Sequence, residues 1–318
     1  MQNFWQTLPK PFFALAPMED VTDAAFRRLI SRYGKPHVFY TEFTSADGLV
    51  LAPAEGQKAI RKRLVHSEDE RPIVAQLFSA YPERMEAAAR IVSELGFDGI
   101  DINMGCPDRS IEKGRCGAAM IKDPAHAREV IRAAKRGAGE VPVSVKTRIG
   151  YAKNELETWL PALLEEGLAE VTIHARTRNE LSDVPARWEH VKRAVEIRNE
   201  LGSEARIMGN GDVRDLSDAR AKVAETGCDG VMLGRAIYGN PWLFADRFVL
   251  PTPQERIDAL IEHLQLFDEL MSDVTHFAVM KKHFKAYISG WDHAKELREL
   301  LMETHSVSEA ITLLQSRR

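Results

Sequence analysis

The sequence predicts an α/β protein: a parallel sheet closed into a (β/α)8 TIM barrel, followed by a small C-terminal helical domain. Two observations carry the barrel. Eight short apolar runs alternate with segments of helical spacing over about 240 residues, the pattern of a parallel sheet covered by helices. An internal echo then marks one face of it: Glu94-Leu-Gly-Phe-Asp-Gly-Ile100, Glu165-Glu-Gly-Leu-Ala-Glu-Val171 and Glu225-Thr-Gly-Cys-Asp-Gly-Val231 share one plan. Each ends a helix, caps it with glycine, adds one apolar residue and opens a strand. Such turns belong to the bottom of a barrel, the face associated with stability. A doubly wound open sheet is the competing architecture, but no G-x-G-x-x-G follows the first strand.

The expected strands are 12–16, 38–42, 73–77, 99–103, 143–147, 170–174, 206–209 and 230–234. Apolar residues spaced by three and four predict helices over 84–95, 125–136, 156–166 and 188–201. The alternation stops near Phe248, and Leu250-Pro-Thr-Pro253 reads as a stiff connector because each proline fixes its own φ. Beyond it the pattern is helical over 254–271, 277–288, 294–303 and 308–316, with Ser306 and Glu309 placed as a capping pair. The chain therefore divides into a barrel, residues 1–248, and a helical domain, residues 254–318.

Composition fits a globular enzyme: 44% of the 318 residues are hydrophobic and 28% charged. The first residues lack a basic segment followed by an apolar core, and no apolar run reaches membrane-spanning length. Three cysteines without metal-ligand or redox spacing argue against disulfides and zinc and fit a reducing, cytoplasmic compartment. A net charge of −4 disfavours an extended nucleic-acid surface while leaving room for a local basic patch.

In a barrel the chemistry belongs at the carboxyl ends of the strands. Those positions hold Pro17 and Met18, Glu42, Gln76, Asn103 with Cys106, Lys146 with Arg148, His174 with Arg176, Asn210 with Gly211, and Gly234 with Arg235. This set is polar and varied, whereas the strands beneath it are apolar. In Asp101-Ile-Asn-Met-Gly-Cys-Pro107 a strand runs into a turn carrying a lone thiol beside a glycine. The ordinary fate of such a cysteine is to be buried as a small apolar residue. Its place just past a strand end makes it a candidate for chemistry. Cys116 lies on the same loop but does not directly follow the strand; Cys228 occupies the apolar position of the echo and reads as packing. Glycines after the last two strands expose N–H groups at helix starts, an arrangement that binds phosphate, and Arg235 adds a charge-assisted contact. A phosphate site, a lysine, a glutamine and a histidine on one rim point to bound FMN, with Lys146 placed to stabilise the reduced, anionic flavin.

With these residues assembled, the chain resembles the tRNA-dihydrouridine synthases. The resemblance runs through Ala16-Pro-Met18, Ala75-Gln-Leu77, the segment 101–107, Val145-Lys-Thr-Arg148, His174-Ala-Arg-Thr-Arg178, Gly209-Asn-Gly-Asp212, Gly234-Arg-Ala236 and Asn240-Pro-Trp-Leu-Phe244. It implies an FMN enzyme that reduces the C5–C6 bond of uridine in tRNA at the expense of NADPH. By the same resemblance Pro17, Met18, Gln76, Lys146, His174, Asn210, Gly211, Gly234 and Arg235 hold FMN. Asn103, Lys146, Arg148 and His174 surround the uracil, and Cys106 is the general acid. The tail, with Lys281-Lys-His283 and Tyr287, resembles an RNA-binding helical domain.

Acidic side chains slightly outnumber basic ones in residues 245–318, so the tail is no polycation. Lys281, Lys282, His283 and Lys285 form its densest basic cluster, joined by Arg176 and Arg178 from the rim, and a solvated face is the plain alternative. Trp188 and Trp291 read as buried anchors before stacking platforms. Three other readings stay open at this stage: a ribosomal RNA substrate, an FMN barrel acting on a free pyrimidine, and an RNA-binding protein without redox chemistry. No metal or protein partner is expected.

Overall fold

The computed structural model describes residues 3–245, 247 and 249–317. Nine strand segments form one parallel sheet: β1 (Phe12–Leu15), β2 (Phe39–Tyr40), β3 (Thr44–Ser45), β4 (Ile73–Phe78), β5 (Gly99–Met104), β6 (Val143–Arg148), β7 (Glu170–His174), β8 (Arg206–Asn210) and β9 (Gly230–Leu233). Their order is β1-β9-β8-β7-β6-β5-β4-β2, with β3 also on β4. A parallel bridge between Ala14 and Val38 joins the first strand to the last and closes the ring. The (β/α)8 barrel expected from the alternation is the fold.

The second stave departs from the expected single strand over 38–42. It is split into β2 and β3, although the Thr41 N–H still reaches the Val74 carbonyl at 3.0 Å. At the break the Glu42 carboxylate turns to accept the Asp20 N–H at 2.5 Å. That bond secures the β1 loop where Asp20 has a φ of 54°.

Helices cover the ring: α1 (Phe4–Thr7), α2 (Ala24–Tyr33), α3 (Ala46–Leu51), α4 (Ala54–Arg63), α5 (Pro82–Glu94), α6 (Arg109–Lys113), α7 (Pro124–Ala138), α8 (Leu156–Leu164), α9 (Glu189–Glu200) and α10 (Leu216–Thr226). Trp5 of α1 is buried with Phe12, Tyr40, Val74, Met208 and Met232, which fill the barrel as side-chain layers. The echoed turns all carry left-handed glycines, with φ of 80° at Gly96, 63° at Gly167 and 71° at Gly227. The residues that follow, Phe97, Leu168 and Cys228, are buried. Cys228 is a packing residue, as its place in the repeat predicts.

The tail contains α11 (Pro253–Leu270), α12 (Lys281–Tyr287), α13 (Ala294–Glu303) and α14 (Val307–Gln315). Thr252 and Glu255 form a reciprocal cap on α11, and Ser306 accepts the Glu309 N–H at the start of α14. The expected helix over 277–288 is a 3-10 turn, Phe277–Met280, running into α12. Apolar residues of α11 and α12 share one core with α2, and Glu262 takes bonds from Arg32 at 2.6 Å and Tyr33 at 2.8 Å. The tail is thereby fixed beside the mouth of the barrel. The boundary expected at Phe248 lies outside the described residues.

Candidate active site

Parallel register brings the rim together. Asn103 on β5 lies beside Lys146 on β6; Arg148 lies beside His174 on β7, which lies beside Asn210 on β8. A narrow cleft of about 230 Å³ opens above them, lined by Pro17, Met18, Lys146, His174, Arg176, Asn210, Gly211, Asp212, Gly234 and Arg235. Gln76 sits apart from that lining, buried on β4.

The cleft is strongly cationic. Burial first, then the neighbouring Arg148, pull Lys146 down to about 8, while Asp101 and Glu170 work to keep its charge. His174 is held well below the usual imidazole range by burial and by Lys146, Arg148, Arg176 and Arg235. Its Nε2 lies 3.2 Å from Nη1 of Arg176. A guanidinium only donates, so Nε2 accepts and the proton of the neutral ring resides on Nδ1. Asp212 pairs with Arg176 and accepts from Arg235 at 2.7 Å, anchoring both cations on the glycine turn. Gly211 has a φ of 125°, and a Cβ there would stand 2.8 Å from Ala186 Cβ. Only glycine suits this position. Trp188 is buried, as expected, and its indole N–H donates to the Gly211 carbonyl at 2.9 Å.

The thiol turn is pinned on several sides. Asn103 Oδ1 accepts the Gly105 N–H at 3.2 Å and the Cys106 N–H at 2.9 Å. The Cys106 carbonyl accepts the Ala118 N–H at 2.9 Å, and Arg148 Nε donates to the Gly105 carbonyl at 2.8 Å. The Cys106 side chain faces a second, wider cleft of about 660 Å³ bordered by Phe43, Ile60, Arg63, Phe78 and Val274. Burial pushes its thiol above the ordinary range, outweighing Lys146 and Arg148. Cys116 is more deeply packed, contacts the Gly114 carbonyl at 3.3 Å and is pushed up to about 11.

This geometry stands beside a direct comparison. The profile of the dihydrouridine synthase family matches residues 14–317. The chain belongs to that family. A probable tRNA-dihydrouridine synthase of Staphylococcus aureus (strain COL) is 41% identical, over 98% of this chain and 95% of the relative. A probable tRNA-dihydrouridine synthase 2 of Bacillus subtilis (strain 168) is also 41% identical, over 98% and 96%. Among solved structures, morphinone reductase in complex with tetrahydroNAD aligns with a TM-score of 0.53 at 15% identity, covering 76% of this chain and 88% of that one. This last likeness is one of fold. As a dihydrouridine synthase, the chain is a flavin-dependent oxidoreductase.

Several residues expected to contact substrate are also engaged within the protein. Arg148 is 5% exposed, and besides Gly105 its guanidinium serves the Thr177 and Leu181 carbonyls at 3.0 Å each. Arg176 is held by Asp212 and the Val184 carbonyl, and Arg178 clasps Glu112 of α6. All three arginines brace the rim loops. His283 does not join the lysine face. It is 1% exposed and packs on His263 with ring centroids 4.6 Å apart. On α12 it turns inward with Phe284 and Tyr287, opposite the side shared by Lys281, Lys282 and Lys285.

Those three lysines and Arg298 border a groove of about 410 Å³. Lys281 also donates to the Met302 carbonyl at 2.6 Å. A second basic element, α4, is not among the groups expected from sequence. This helix buries none of its residues, carries Lys58, Arg61, Lys62 and Arg63, and borders the wide cleft through Ala59, Ile60 and Arg63. Its signal in the sequence is the Arg61-Lys-Arg63 run.

Proposed function

We propose that this dihydrouridine synthase reduces the C5–C6 double bond of a uridine in tRNA to 5,6-dihydrouridine, using FMN and NADPH, with Cys106 as the general acid. The observation that carries this reading is the position of Cys106. Its protonated thiol stands on a clamped turn that borders the wide cleft, within electrostatic reach of Lys146 in the cationic cleft.

The narrow cleft suits FMN by its donor set. Arg235 and the Gly211 and Gly234 turns offer charge and backbone donors for a phosphate, while Lys146 and the Nδ1–H of His174 stand deeper for a polar ring edge. Pro17, Met18, Asn210 and Gln76 complete the set of residues that would hold it. When bound, the flavin supplies the hydride that adds to uracil C6.

The protein's own groups do the rest. Asn103 and Lys146, neighbours across β5 and β6, would contact the uracil. Positive charge at Lys146 stabilises the negative charge that develops on C5 and O4. Cys106 then delivers its proton to C5. A thiol held above the ordinary pKa range is protonated near neutral pH, as a donor must be. Its thiolate regains a proton from water through the wide cleft.

Turning a uridine out of its stack costs on the order of a few kcal/mol, which contacts to the surrounding RNA must offset. The cations of α4, which borders the wide cleft, and Lys281, Lys282 and Lys285 on the groove of α12 would provide phosphate contacts. A cytoplasmic site of action follows from this substrate. Among the described residues no helix is long and apolar enough to cross a membrane.

The test is incubation of the FMN-loaded protein with NADPH and unmodified tRNA, followed by mapping of dihydrouridine by mass spectrometry. Product at a defined position supports the reading. Flavin turnover with product only on ribosomal RNA or a free pyrimidine overturns the substrate.

A further inference from the structure

Beneath the thiol turn runs a chain of side-chain hydrogen bonds that begins in the middle of the barrel. Asp101 on β5 is fully buried; its Oδ1 accepts from Ser144 Oγ and its Oδ2 from Gln76 Nε2, each at 2.7 Å. Gln76 Oε1 in turn accepts from Asn103 Nδ2 at 3.1 Å. Asn103 Oδ1 ends the chain on the N–H groups of Gly105 and Cys106.

The direction of this chain is fixed from both ends. Backbone N–H groups only donate, so Asn103 must present its oxygen to the turn and its amide nitrogen to Gln76. An ionised carboxylate only accepts, so Gln76 must present its nitrogen to Asp101 and its oxygen to Asn103. Each end alone would dictate the same orientation of both amides. The buried carboxylate and the thiol turn are therefore mechanically linked through two side chains, one of them proposed to contact flavin and the other uracil. Burial holds Asp101 up at about 6, against the bonds from Gln76 and Ser144, so the acceptor-only form prevails at neutral pH.

We infer that Asp101 is a positioning residue for the acid: as the acceptor that terminates the chain, it anchors Gln76 and through it Asn103, and so holds the Cys106 turn in place. This role rests on the proposed part of Cys106 in the reaction but is tested without RNA, so the two fail separately. Failure of the acid assignment would appear as dihydrouridine formation by Cys106→Ala. Failure of the positioning role would appear in the reactivity of the thiol.

The experiment measures iodoacetamide alkylation of Cys106 in the FMN-loaded protein, by peptide mass mapping across a pH range. Gln76→Glu places two carboxylates face to face, and near neutrality they share a proton. At the alkaline end of the range both ionise and the chain breaks; there alkylation should quicken about tenfold relative to the parent as the turn loosens, the scale of one or two lost buried bonds. Adding Asp101→Asn restores a donor–acceptor pair, because the introduced amide donates to the introduced carboxylate, which still accepts from Asn103. The double variant should return to within about twofold of the parent, a non-additivity that a general packing role does not produce. Asp101→Leu, which keeps the branched shape but removes the acceptor, should match Gln76→Glu at the alkaline end and serves if that variant fails to fold. A Gln76→Glu rate within about twofold of the parent at the alkaline end of the range overturns the inference. So does a double variant no better than the single one, or an Asp101→Leu rate unchanged from the parent.

Discussion

The narrow and wide clefts are built from different materials, and Cys106 borders the wide one. The narrow one stands on strand ends: Lys146, His174 and Asn210 are set by adjacent register positions, and their surroundings are buried and cationic. The wide one is bordered by α4, by the short β3 segment and by Val274 and Thr275 of the tail. Strand-end groups cannot relax away from one another. Desolvation therefore shifts their proton affinities strongly, as at Lys146 and His174. The lysines of the tail remain partly in water, where charge is screened and adaptable. Rigid chemistry and adjustable grip are kept on separate parts of the chain.

The largest break in this contrast is expected at Cys106. Cys106→Ala should lower dihydrouridine formation by about 10²–10⁴-fold, the usual range for a lost general acid. Reduction of the flavin by NADPH, followed by its loss of absorbance, should continue in that variant. Cys116→Ala, packed away from both clefts, should stay within a few-fold of the parent; an equal loss in the two variants would remove the distinction between them.

Next comes the narrow cleft. Lys146→Met keeps much of the side-chain volume and removes the charge; uridine reduction should fall about 10²-fold. The parent enzyme should also lose rate as pH rises through about 8, because Lys146 gives up its proton far below the range of a free lysine. That alkaline limb should be absent from the pH profile of the methionine variant.

A smaller effect is expected on the wide side. Replacing Lys281 and Lys285 together by glutamate should raise KM for tRNA about tenfold with little change in kcat. In direct binding measurements the salt dependence should weaken by about one unit of slope for each lysine–phosphate pair removed. A fall in kcat at unchanged KM would assign these lysines to the chemistry instead.

The smallest effect concerns the thiol alone. Burial disfavours the thiolate, so alkylation of Cys106 should rise with pH through a midpoint above that of an exposed cysteine. A midpoint near neutrality would mean a thiolate already formed, and would contradict its role as a proton donor.

The barrel was legible because parallel strands buried on both faces leave continuous apolar runs, and their glycine-capped turns repeat in sequence. The strand-end residues followed from that frame, since one rule places them all on the same rim. What stayed hidden was partnership. Arg148 and Arg178 look like free cations in sequence, yet they are bound to the Gly105, Thr177 and Leu181 carbonyls and to Glu112. His283 sits among lysines in sequence, but the rotation of α12 carries it into the core against His263 and Phe26. The split of the second stave was hidden too, because the Glu42–Asp20 bond joins residues on different loops.

The sequence by itself determined the period of the elements, the caps that end them and the residue types delivered to the rim, because these depend on near neighbours along the chain. Only the tertiary structure decided which of those groups confront the clefts, which are consumed in bracing loops, and that the Cys106 turn rests through Asn103 and Gln76 on Asp101. The physical reason is that hydrogen bonds and desolvation act across space, between residues whose separation in sequence carries no trace of their contact.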